Sequence, residues 1–200
     1  QEFSIMLGSN ELMNSRLSGS EEALAELATQ KLEGRGLARM LIGGLGMGFT
    51  LRAALKGLGD DARVTVAELV PAVIDWARGP MASVFDGCLE DERVSVHQGD
   101  VGELIRGSEA TWDAILLDVD NGPDGLTRTG NDALYSAQGL ASAYRALAPG
   151  GIFSVWSSAP DAAFTRRLKQ AGFSVTEVPT RASTNKRGAR HMIWVALKAG

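Results

Sequence analysis

One cysteine in 200 residues, Cys88, leaves no partner for an internal disulfide and rules out a cysteine-rich metal site. Histidine is as scarce, with two residues, and no grouping of histidine, cysteine and carboxylate has metal-ligand spacing, so no metal is expected. Positive charge is not in excess: 20 basic against 24 acidic side chains give a net charge of −4, with no electrostatic case for nucleic acid. No apolar run reaches the roughly 18–20 residues that span a bilayer, and the first residues do not read as a secretory signal. The expectation is a cytoplasmic protein with neither a membrane nor nucleic acid among its partners. What is present suits one domain of usual size: 44% hydrophobic residues can fill a core, and 22% charged residues keep the surface hydrated.

Four glycines gather within RMLIGGLGMGFTL, residues 39–51. The apolar run Met40-Leu41-Ile42 leads directly into Gly43, Gly44, Gly46 and Gly48, and a helical pattern follows. A buried parallel strand turning sharply into a helix has this form. Glycine permits positive φ and lets a ligand lie against bare backbone. The helix start offers unpaired N–H groups and a partial positive charge. Such a loop holds a nucleotide-like ligand with an anionic group, a phosphate or an amino-acid carboxylate; the plainer reading is a tight turn with no ligand. The dinucleotide fingerprint requires a third glycine three residues after the second. Phe49 or Leu51 stands there instead, so the spacing is G-x-G-x-G. This resembles motif I of the class I S-adenosylmethionine-dependent transferases.

Residues 1–36 read as a helical N-terminal segment, either a lid over the site or a frayed terminus. Ser18-Gly19-Ser20-Glu21 fits a capping box, with Glu21 reaching back to the helix start. Ala23, Leu24, Leu27, Ala28 and Leu32 keep helical spacing to about residue 33, and ELMNSRLSG before them reads as a loop. Strands then fall at about 37–43, 62–69, 93–97, 112–118 and 152–156. Helices intervene at about 48–58, 71–78, after Asp100, at 132–147 and at 160–171. Two last strands, 173–178 and 191–197, have no helix between them and should pair antiparallel at one edge. The tryptophans, Trp76 on a helix included, read as core. The fold expected for residues 37–200 is one doubly wound, Rossmann-like α/β domain with a seven-stranded, mostly parallel sheet and an antiparallel last strand. The class I methyltransferase fold has this order of elements.

In open α/β sheets the ligand lies outside the carboxyl ends of the strands, and acids stand at those ends. Glu68 ends strand two, where a carboxylate can accept from both ribose hydroxyls. Asp100 ends strand three, where it can accept the adenine amino N–H. Asp118 and Asp120 end strand four, near the expected sulfonium. Gly99-Asp100 after RVSVHQ, Asp118-Val119-Asp120-Asn121-Gly122-Pro123, Leu134-Tyr135-Ser136 and the strand PGGIFSVW together resemble the spermidine synthase family over about residues 37–160. The resemblance implies a nucleoside held by Gly43, Gly44, Gly46 and Gly48, by Glu68 with Leu69, and by Asp100 with Val101. Asp118 would lie beside the transferred group and, with Asp120, take the catalytic role.

Two departures bear on the reaction. The family's glycine loop carries an aspartate that grips the amino end of an aminopropyl donor, and the aligned residue here is Gly46. The family's N-terminal β-domain is missing too. Substrate clues point both ways. A carboxylate pair, Asp118 and Asp120, attracts an amine and raises one carboxyl pKa, giving a proton acceptor. Arg181, Lys186, Arg187 and Arg190 form a basic loop that suits an anion, or else a solvated hairpin tip. Asn121 and Tyr135 are candidates for substrate contact, and His191 could reach the site. The first expectation is therefore an S-adenosyl-L-methionine-dependent methyltransferase acting on a small molecule. The alternatives are an aminopropyltransferase of polyamine synthesis using decarboxylated S-adenosylmethionine, and a non-catalytic binding module that keeps the fold. A homodimer is left open.

Overall fold

The structure, a computed structural model, describes residues 2–119, 132–183 and 188–200, the side chains of Leu7, Asn10 and Asp132 aside. Two strands come first, β1 (Ser4–Leu7) and β2 (Asn10–Asn14), paired antiparallel. The sequence predicts a loop over 11–19, and β2 takes up its first part. The alternation is weak, and Met6 and Leu12 are exposed, so the hairpin has little of the patterning that marks a strand. Helix α1 (Gly19–Lys31) follows, close to where its apolar spacing placed it.

Seven further strands form one sheet: β3 (Arg39–Gly43), β4 (Arg63–Glu68), β5 (Val94–Gln98), β6 (Trp112–Leu117), β7 (Leu147–Ser157), β8 (Ser174–Arg181) and β9 (Arg190–Leu197). Their spatial order is β5-β4-β3-β6-β7-β9-β8, parallel through β7, with β9 antiparallel to both β7 and β8. The order reverses between β3 and β6, where open α/β sheets bind their ligands.

Helices cover both faces because β3 and β6 are apolar on both. Met40, Ile42, Ala114 and Leu116 face α1, α2 (Phe49–Gly57), α3 (Pro71–Arg78) and the short α4 (Ala82–Phe85). Leu41, Ile115 and Leu117 face α5 (Val101–Arg106), α7 (Ala137–Ala146) and α8 (Ala162–Gln170). The single helix expected over 132–147 is two, α6 (Asp132–Tyr135) and α7, because Ser136 leaves helical geometry and caps α7 by accepting the Gly139 N–H at 3.1 Å. Trp76 is 41% exposed on α3 and is not a core residue. Trp194 is fully buried, its indole N–H donating to Thr165 Oγ1 at 2.8 Å. Among the described residues no helix is long and apolar enough to cross a membrane.

Candidate functional site

The glycine loop is clamped between its two neighbouring strands. Asp118 N–H donates to the Gly43 carbonyl at 2.9 Å, and Gly44 N–H donates to the Ala67 carbonyl at 2.8 Å. Gly44 has φ +93°, and a Cβ there would run into the Asp118 carbonyl oxygen, so only glycine fits. Gly46, at φ +48°, lies beneath the hairpin: a Cβ would sit 2.9 Å from Met13 Sδ. Gly48 caps α2.

Glu68 is buried, and both its oxygens hold the turns around it. Oε2 accepts Leu45 N–H at 3.0 Å and Oε1 accepts Val70 N–H at 2.8 Å. Each oxygen keeps a further lone pair, so a fixed carboxylate remains able to accept from a ligand. Asp100 caps α5 through Gly102 N–H at 2.8 Å, with Oδ2 at 3.4 Å from the Arg106 guanidinium. Leu69 is exposed beside these acids, whereas Val101 is buried against Gly43 and offers a ligand only its backbone.

Asp118 ends β6 with Oδ2 accepting the Thr50 hydroxyl proton at 2.7 Å. Burial pushes its carboxyl up to about 7; the charge of Glu21 adds to the rise, and the Thr50 hydrogen bond opposes it. Glu21 was not among the site residues expected. It was read as half of a capping box, but Ser18 makes no side-chain cap, and Glu21 instead accepts the Ser20 hydroxyl proton at 2.6 Å. Burial raises its carboxyl as well. The signal was available: Glu21 stands at helical spacing from Ala25, Ala28 and Leu32, on the stripe that faces the core. Ser20 is fully buried and lies 2.9 Å from His191 Nδ1, and the His191 ring meets Trp156 edge-on at 4.7 Å. Among the described residues no lysine or arginine forms an ion pair with Glu21 or Asp118.

Other expected residues fare differently. Tyr135, expected to touch substrate, is 3% exposed and packs edge-on against Phe164, so its place in the core corrects that role. Arg181 and Arg190 stand opposite each other across β8 and β9, and Arg181 donates to the Gly188 carbonyl at 3.3 Å, as in a hairpin tip. Asp120, Asn121, Lys186 and Arg187 lie outside the described residues.

The sequence model of the spermine/spermidine synthase domain matches residues 20–171. The chain belongs to that family. The polyamine aminopropyltransferase of Mycobacterium tuberculosis is 36% identical over 158 residues, covering 72% of this chain and 29% of that protein. The polyamine aminopropyltransferase of Nitrosomonas europaea is 35% identical over 98 residues, covering 49% of this chain and likewise 29% of the relative. The chain thus spans under a third of the length of these relatives. Among solved structures, spermidine synthase in complex with the transition state analogue AdoDATO superposes with TM-score 0.73 at 20% identity, over 94% of this chain and 62% of the other. Spermidine synthase from Thermotoga maritima gives TM-score 0.75 at 21% identity, over 94% and 63%. At these identities the likeness is one of fold, and it is the seven-stranded α/β fold expected.

Membership of the synthase family overturns the first expectation, a methyltransferase using S-adenosyl-L-methionine. The geometry leaves that expectation fewer free donors. It relied on loop N–H groups to receive the amino-acid carboxylate. Gly44, Leu45 and Gly48 N–H are instead bonded to the Ala67 carbonyl, to Glu68 and to the Leu45 carbonyl.

Proposed function

We propose that this chain carries the catalytic domain of a polyamine aminopropyltransferase, moving the aminopropyl group of decarboxylated S-adenosylmethionine onto an amine. The observation that carries this reading is the pair of carboxylates, Glu21 and Asp118, beside the glycine loop, with no lysine or arginine paired to either among the described residues. Both substrates are cations at the reacting end, and a negative site gathers cations. Glu68 would hold the ribose hydroxyls and Asp100 the adenine amino group, with Leu69 against the ring.

Asp118 is the proton acceptor in this scheme. The acceptor ammonium gives it one proton, and the freed nitrogen lone pair forms a bond to the aminopropyl carbon. The carbon–sulfur bond breaks with its electron pair on sulfur, leaving neutral 5′-methylthioadenosine and a secondary ammonium. One proton is released per turnover. The sulfonium is already a good leaving group, so what remains is to orient the nitrogen and keep its lone pair free.

The test is to incubate the protein with decarboxylated S-adenosylmethionine and putrescine or a longer polyamine, and follow 5′-methylthioadenosine by chromatography. Amine-dependent formation of the nucleoside is the expected result. Its absence with every amine tried, while the protein still binds 5′-methylthioadenosine, would remove the assignment.

A further inference from the structure

Position 46 carries no acid: it is Gly46, at φ +48°, with Met13 Sδ 2.9 Å from where a Cβ would sit. Any counter-charge for the ammonium at the tail of the donor has to come from another element. Helix α1 presents one. Glu21 Oε2 accepts the Ser20 hydroxyl proton at 2.6 Å. That hydroxyl has a single proton, so at 2.9 Å from His191 Nδ1 it must accept, and the imidazole must donate. The chain of bonds runs one way, from His191 Nδ1–H to Ser20 to the Glu21 carboxylate. A carboxylate held at the end of such a chain is oriented and favoured as the anion.

We infer that His191 and Ser20 position Glu21 as the group that recognises the cationic end of the aminopropyl donor, in place of an acid in the glycine loop. This rests on the aminopropyltransferase reading and names its donor-selecting residue. Glu21 faces Asp118 at the end of β6, Ser20 and Glu22 on its own helix, and Thr50 on α2, whose hydroxyl lies 3.3 Å from the Glu21 carbonyl. His191 faces Ser20, the Trp156 ring and its cross-strand partner Thr180, with Arg190 preceding it. Burial lowers the His191 pKa, so the ring is neutral at pH 7 and donates as the Nδ1–H tautomer. An arriving ammonium offsets the burial that raises the Glu21 carboxyl and favours its anionic form.

The two ligands that separate tail from nucleoside are decarboxylated S-adenosylmethionine and 5′-methylthioadenosine, which has no ammonium. Titration calorimetry of wild type, Glu21→Gln, Ser20→Ala, His191→Phe and His191→Gln reads both. Glu21→Gln should weaken the decarboxylated donor by roughly 10–100-fold, the range of one charge-assisted hydrogen bond, and leave 5′-methylthioadenosine unchanged. Ser20→Ala and His191→Phe should weaken the donor by a smaller factor in the same selective way, and His191→Gln, which keeps an N–H donor, should restore it. Equal loss of both ligands in Glu21→Gln, or full donor affinity in that variant, overturns the inference. Failure of the wild type to bind either ligand would instead remove the aminopropyltransferase reading on which it stands.

Discussion

Asp118 is where burial, charge and chemistry meet in a single side chain. Its carboxyl, lifted to about 7 by burial and by Glu21, is half protonated near neutrality. A base acts only when deprotonated, so turnover at low substrate should rise with pH through about 7 and then level. Asp118→Asn should abolish that rise and lower kcat by ~10²–10⁴ while 5′-methylthioadenosine binds within a few-fold of wild type. The same shift has a signature in stability. A folded-state pKa above the unfolded one contributes stability that is complete below about 4, the ordinary carboxylate value, and lost as pH rises to about 7. Urea midpoints of the asparagine variant should therefore gain on wild type between those pH values and hold a constant lead above them. A constant difference across the whole range would mean that the native carboxyl titrates normally.

In the proposed reading the strand–loop–helix unit β3–α2 carries the nucleoside end of the site, and Gly44 is its weakest point to substitution. Alanine at φ +93° would press on the Asp118 backbone, so Gly44→Ala should cost roughly 2–4 kcal/mol and displace the Asp118 carboxylate as well. Denaturant unfolding and turnover measured on one preparation check both effects; unchanged stability would show that the loop can relax away from β6. Elements of this kind were legible in the sequence because each carries its own signal. The Met40–Ile42 run, the glycines after it and the β-branched alternation before Glu68 locate two parallel strands and the ligand side of the sheet. The β1–β2 hairpin carried no such signal, since its apolar residues are partly exposed and its value lies in Met13 reaching Gly46. Glu21 was hidden for a different reason. A capping-box spacing offered it a complete local role, and only the packing of α1 against the sheet turns it inward. Element periodicity is written locally, whereas this acid acquires its neighbours from β6 and β9.

For the molecule as a whole, the sheet predicts a gradient of protection. β3 and β6 are central and buried on both faces, while the hairpin's described residues reach the core through Phe3, Ile5 and Met13, each partly buried. Hydrogen exchange should show the β1–β2 amides opening well below the free energy of global unfolding, and the β3 and β6 amides opening only with it. Equal protection in both places would make the hairpin part of one cooperative unit. The seam between α1 and the β8–β9 hairpin has a consequence in time. Gly19 N–H is bonded to the Ala182 carbonyl at 2.9 Å, and Ser20 meets His191, 171 positions further along the chain. A polypeptide emerging from the ribosome delivers β3 and β6 before His191, so α1 waits for the partner of Ser20 after the middle of the sheet has been made. In the reading proposed above, a chain halted before β9 would lack the group that steadies the Glu21 carboxylate.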